Sequence, residues 1–117
     1  MFVRIGIDAR LVYYHKAGIG QYILRLTQAL AQINQDDDFV LFASRKDSTP
    51  IVTQTNFKRQ KLWTPSHHRF ERPALSLELL PFNLDVLHSP DFIPPARVRC
   101  PSVITVHDLA FLLYPRF

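Results

Sequence analysis

Two short runs of this chain, residues 2–8 (FVRIGID) and 39–44 (FVLFAS), are apolar at almost every position. A strand with one wet face alternates apolar and polar side chains, so a run that does not alternate has to be covered on both sides. That demand points to a parallel sheet between helical layers. The segment between the runs supplies a helix. Ile19, Tyr22, Ile23, Leu26, Leu30 and Ile33, with Ala29 on the same side, recur at helical spacing, while Gln21, Arg25, Gln28 and Gln32 line the opposite face. The pattern ends near Asn34, ahead of the acidic turn 36–38.

Downstream, Pro50 breaks a polar stretch, and residues 61–64 (KLWT) read as a third strand. A helix is expected from about Arg72 to Leu80, with Pro73 suited to its first turn. Residues 85–89 (DVLHS) form a fourth strand. After a connector carrying Pro90, Pro94, Pro95 and Pro101, residues 102–108 (SVITVHD) form a fifth. The expected fold class is α/β: a Rossmann-like, doubly wound, mainly parallel sheet. Ligands of such sheets bind at the carboxyl ends of the strands. That edge would gather Asp8, the loop 9–20, His88, Ser89, His107 and Asp108.

At 117 residues, with 47% hydrophobic and 21% charged side chains, the chain has the makings of one globular domain. No apolar run approaches the roughly 18 residues of a membrane span, and the start lacks the features of a signal peptide. The single cysteine, Cys100, excludes an internal disulfide and leaves too few thiols for a zinc site. His67 and His68 have no carboxylate or thiol at ligand spacing. No metal and no cofactor are expected, and the cysteine usage points to the cytoplasm. The net charge of +4 favours an anionic partner: nucleic acid, acidic lipid or a phosphorylated small molecule. Residues 57–72 carry five Lys or Arg among Phe57, Trp63 and Phe70. Nucleic-acid binders show this mixture, as do surfaces that meet anionic membranes; so does a solvated face with a few core aromatics.

Two of the three glycines, Gly18 and Gly20, stand where the first helix starts. A helix N-terminus presents free N–H groups, and glycine lets a phosphate approach them closely. The pair lacks the third glycine of a dinucleotide fingerprint, no Walker-type lysine follows, and on its own it fits a tight turn equally well.

Taken together, residues 4–30 (RIGIDARLVYYHKAGIGQYILRLTQAL), 85–95 (DVLHSPDFIPP) and 102–115 (SVITVHDLAFLLYP) resemble, in order and spacing, the N-terminal domain of group 1 (family 4) glycosyltransferases. These are retaining enzymes of the GT-B fold, with two Rossmann-like domains facing each other across a cleft. The resemblance implies that residues 1–117 are the acceptor-side domain and that the donor-binding domain lies outside this chain; the apolar ending HDLAFLLYPRF likewise suggests the front part of a longer protein. Gly18, Ile19 and Gly20 match the loop that lies near the donor phosphates and the acceptor. His107 matches the histidine that contacts the transferred sugar, a catalytic position. Tyr13 and Lys16, in the loop leading to the glycines, would grip an acceptor sugar or lipid phosphate or else belong to a mobile surface loop, and Asp8 stands at the edge of the site. Asp108 is expected to cap the following turn, and His88 and Ser89 to be structural.

The partners so implied are a nucleoside diphosphate sugar, a glycan or lipid-linked acceptor, the protein's own C-terminal domain and, peripherally, the inner face of the membrane; nucleic acid is not expected. The family's donor-binding glutamates are separated by seven residues. Glu71 and Glu78 have six between them and belong to the wrong domain. The chain alone is therefore expected to be inactive and, with a sheet edge uncovered, to self-associate. The alternative is a non-catalytic α/β module that binds an anionic ligand or partner.

Overall fold

The structure, a computed structural model, describes residues 3–10, 12, 18–46, 52–63, 70–79, 81–90 and 100–105. Its elements follow the chain as β1 (Arg4–Asp8), α1 (Ile19–Ile33), β2 (Asp38–Ser44), β3 (Phe57–Leu62), α2 (Glu71–Leu79), β4 (Val86–Ser89) and β5 (Ser102–Ile104). The strands form one sheet in the order β3-β2-β1-β4-β5, and every pairing is parallel.

The two helices cover opposite faces. Ile7, Phe39 and Leu41 point to one side, where Leu30 of α1 packs on them. Val40, Phe42, Leu62 and Leu87 point to the other, against Leu75 and Leu79 of α2. The last six residues of β2 are all buried, as a strand sandwiched between layers requires. Gly6 faces α2 where space is shortest: a Cβ there would stand 2.7 Å from Leu84 Cδ1 and 2.8 Å from Phe42 Cε2. The fold is thus α/β, Rossmann-like and wound on both faces.

Two expectations need correction. The buried row of α1 is Gly20, Ile23, Thr27 and Ala31, whereas Ile33 is 79% exposed and Tyr22 and Ala29 also face solvent. Small residues along this row let the helix backbone settle close to the sheet, which turns the larger aliphatics to the flanks. The buried Thr27 hydroxyl is satisfied within the helix, donating to the Ile23 carbonyl at 2.8 Å. The third strand starts at Phe57 and ends at Leu62, so it lies ahead of the KLWT reading. It is an edge strand on which Lys58, Gln60 and Lys61 are exposed, and these polar side chains hide its signal. Phe57 nonetheless stacks on Phe39 with ring centroids 4.2 Å apart. Ser89 is the last residue of β4 and is buried.

The amino-terminal edge of the sheet is closed by a side-chain network. Asp37 Oδ1 accepts from the Val3 N–H at 3.0 Å, and Asp37 Oδ2 accepts from Asn34 Nδ2 at 2.8 Å. Asn34 Oδ1 takes the N–H groups of Asp36 and Asp37, while Asn56 Nδ2 donates to the carbonyls of Asn34 and Asp37. The Asn34 hydrogen bond comes first among the effects that hold the Asp37 carboxyl below its ordinary range. At the same edge, Asp85 Oδ2 accepts from the Arg4 N–H at 2.8 Å.

Candidate functional site

In the order β3-β2-β1-β4-β5 the winding reverses between β1 and β4. Chain segments leaving two such neighbours go to opposite faces, and the crevice between them at the carboxyl edge is the usual ligand position of an open parallel sheet. In this molecule the crevice lies between Asp8 and Ala9 on one side and His88 and Ser89 on the other.

On the face covered by α1, Ala9 continues past β1, its N–H donating to the Phe42 carbonyl at 2.7 Å. Ala9 packs with Ile23, and Val12 and Ile19 lie against this pair. This contact sets the first turns of α1 over the carboxyl end of β1. The helix begins at Gly18, whose φ of 61° and ψ of −113° belong to a region that side-chain-bearing residues avoid. A Cβ at Gly18 would meet nothing within 4 Å, so the space beside the turn is open. Among the described residues no side chain caps this helix start, and its first turn carries no acidic residue. The Tyr22 N–H closes the first helical bond onto the Gly18 carbonyl at 3.0 Å; the N–H groups ahead of it have no carbonyl of their own helix to meet. Gly20 is buried in the first turn, in line with Ile23, Thr27 and Ala31.

His88 belongs to the same face, since it lies opposite Ile7 in the register of β1 with β4. Its Nε2 shares a 2.9 Å hydrogen bond with Thr105 Oγ1, and the Thr105 N–H donates to the Ser89 carbonyl at 3.2 Å. Burial pushes the His88 imidazole below its ordinary pKa, which favours the neutral ring.

The face covered by α2 is built differently. Arg10 is 2% exposed and lies between two carboxylates. Its Nε and Nη2 donate to Asp8 Oδ1 and Oδ2 at 2.9 and 2.7 Å, and Nη2 also donates to Glu71 Oε2 at 2.5 Å. Burial disfavours the guanidinium charge, but the hydrogen bonds and charges of Asp8 and Glu71 outweigh it and hold Arg10 above its ordinary range. The paired fork fixes the loop after β1 to the first turn of α2. Beside it, a narrow crevice is lined by Asp8, Phe42, Leu62, Leu75, Leu87 and Ser89, and the buried Ser89 hydroxyl has no hydrogen-bond partner among the described residues.

Of the residues expected at the site, Gly18, Ile19 and Gly20 stand together at the start of α1. Asp8 is at the same sheet edge but turns its carboxylate to Arg10, on the opposite face. Tyr13, Lys16 and His107 lie outside the described residues, as do His67, His68 and Asp108. Arg10 and its link to Glu71 were missed. The "DAR" at the end of β1, an acid and a base two residues apart on a strand end, is the local signal for the first half of that network. The partner 61 positions away has none. Glu78, the other acid weighed above, accepts the Trp63 N–H at 2.8 Å. Trp63 itself is 73% exposed, with the Arg45 guanidinium 4.8 Å above its ring.

Comparison with family models, with curated proteins and with solved structures finds no match. What the fold and site define is a class: an α/β protein with a parallel, doubly wound sheet and an uncapped, glycine-started helix at the reversal of strand order. Among the described residues no helix is long and apolar enough to cross a membrane, and no group of three or more His, Cys, Asp and Glu could hold a metal ion.

Proposed function

We propose that this chain is the acceptor-side domain of a retaining glycosyltransferase, which moves a sugar from a nucleoside diphosphate sugar to a glycan or a lipid-linked acceptor at the inner face of the membrane. The observation that carries the reading is the start of α1, where Gly18 adopts a conformation suited to glycine, open space lies beside it and the helix end is uncapped. Departure of a nucleoside diphosphate builds negative charge on its phosphates. Preorganised N–H groups at Ile19 and Gly20 would stabilise that charge without having to reorient. His107, by its place in the sequence, would contact the transferred sugar, and Tyr13 and Lys16 the acceptor. The donor domain would come from outside residues 1–117.

The test uses the product of the whole gene that encodes this chain, offered a panel of UDP-, GDP- and dTDP-sugars with nucleotide release as the readout. Release from at least one donor is expected, falling at least about tenfold in Gly18→Val, because the N–H groups would no longer be presented to the phosphates. No release from any donor would overturn the reading. A non-catalytic module with an anionic partner is the second reading. It draws on the exposed Trp63 beneath Arg45, beside the exposed Lys58 and Lys61 of the edge strand. Oligonucleotide binding that weakens steeply with salt, with no response to sugar nucleotides, would favour it.

A further inference from the structure

His88 looks at first like a structural histidine, because one ring nitrogen is bonded within the sheet. Three features give it more to do. It sits on β4 directly opposite Ile7 of β1, so it borders the crevice where the strand order reverses. It lies on the face that carries the glycine-started end of α1, whereas the ion network of Arg10 occupies the other face. The region next to it on that face is open: Val103, its register partner on β5, is 49% exposed.

The ring is also held. Thr105 Oγ1 engages Nε2, and the Thr105 N–H to the Ser89 carbonyl fixes Thr105 in turn. Whichever of the two groups donates, the remaining nitrogen, Nδ1, is left with one hydrogen-bonding capacity, and among the described residues it has no partner. We infer that His88 is a ligand contact: its Nδ1 hydrogen-bonds a hydroxyl of a sugar or similar polyol held on the α1 face at the carboxyl end of β4, with Thr105 as the residue that positions the ring. The chemistry selects this class of ligand. A half-buried imidazole kept neutral has no charge with which to hold a phosphate, and anions are better served by the N–H groups of α1. A hydroxyl both gives and accepts a hydrogen bond, so it suits Nδ1 in either tautomer.

The inference deepens the transferase reading by naming a sugar contact, but its test does not depend on turnover. The 117-residue chain labelled with 15N-histidine would be titrated to high millimolar concentration with methyl glucopyranoside, methyl galactopyranoside and methyl mannopyranoside. The imidazole nitrogens would be followed by long-range proton–nitrogen spectra, with His88 assigned from His88→Gln. At least one glycoside is expected to move the His88 Nδ1 signal. In Thr105→Val, which leaves His88 in place but frees the ring, the shift should shrink several-fold. If no glycoside moves Nδ1, or Thr105→Val leaves the shift unchanged, the inference is overturned. A glycoside response in a protein that releases no nucleotide from any donor would retain the sugar site and remove the transferase. Nucleotide release with a silent His88 would do the reverse.

Discussion

The two edges of this sheet are finished by opposite means. At the amino-terminal edge, the amides of Asn34 and Asn56 and the carboxylates of Asp37 and Asp85 tie backbone groups together. At the carboxyl-terminal edge the ties run between side chains, from Arg10 to Asp8 and Glu71 and from His88 to Thr105. There, among the described residues, a helix starts uncapped, a serine hydroxyl is buried without a partner and a histidine has a nitrogen to spare. An edge whose backbone groups are closed by hydrogen bonds serves folding. An edge with unspent hydrogen-bonding capacity has given up stability for something else, and in open parallel sheets that is where ligands bind.

The sharpest way to break this contrast is Arg10→Met, which strands two carboxylates beside α2. We expect a loss of about 3–5 kcal/mol in urea unfolding, partly restored when Asp8→Asn and Glu71→Gln are added. A loss below about 1 kcal/mol, the range of an exposed pair, would mean that the network is ornamental. Gly18→Val forces a branched side chain into a backbone conformation it resists and should cost about 1–3 kcal/mol. At the opposite edge Asn56→Ala removes two hydrogen bonds to carbonyls and should cost about 1–2 kcal/mol, with no change in ligand response. Ser89→Ala is the informative small effect. Removing an unpaired buried hydroxyl should leave stability unchanged or raise it by up to about 1 kcal/mol; a clear loss would show that the hydroxyl has found a partner.

Acid titration separates the edges by the pH range over which each loses stability. Asp37 has a lowered folded pKa, so its contribution is present above the pKa of the unfolded carboxyl and lost as pH falls through the folded value. His88 is also lowered, but as a base. Its neutral form is favoured on folding, so stability is full above the unfolded value of 6.5 and declines as pH falls from there toward the folded pKa. The difference between wild-type and His88→Gln stability should therefore vary between neutral pH and mild acid. The corresponding difference for Asp37→Asn should be flat there and change only in stronger acid.

The fold was legible because β1 and β2 are sandwiched, and a run such as FVLFAS has no other economical place in a small domain. The start of α1 was legible for a similar reason, since two glycines cannot be neutral at the head of an amphipathic stripe. What escaped the sequence depended on tertiary placement. The charges of β3 speak for a solvated loop until the strand is known to be an edge. The buried row of α1 is set by which residues are small, while the periodicity was read from those that are large. Asp8 was legible as a residue of the sheet edge, but its orientation was not, because strand alternation assigns a face only once the covering helices are known. Arg10 passed unnoticed because a buried arginine announces itself only through partners that folding brings close.

The polar dress of β3 has a further consequence for the sheet as an assembly. With Lys58, Gln60 and Lys61 exposed along it, that margin repels another strand and its neighbours in solution. The margin at β5 carries no charge, and Val103 and Ile104 are exposed on it. Among the described residues, the sheet is therefore finished on one side and open to extension on the other. Any sixth strand, whether drawn from this polypeptide or from a second one, has a single direction in which to add. Growth on that side would extend the carboxyl edge next to His88 and Thr105 and leave the glycine-started helix where it is.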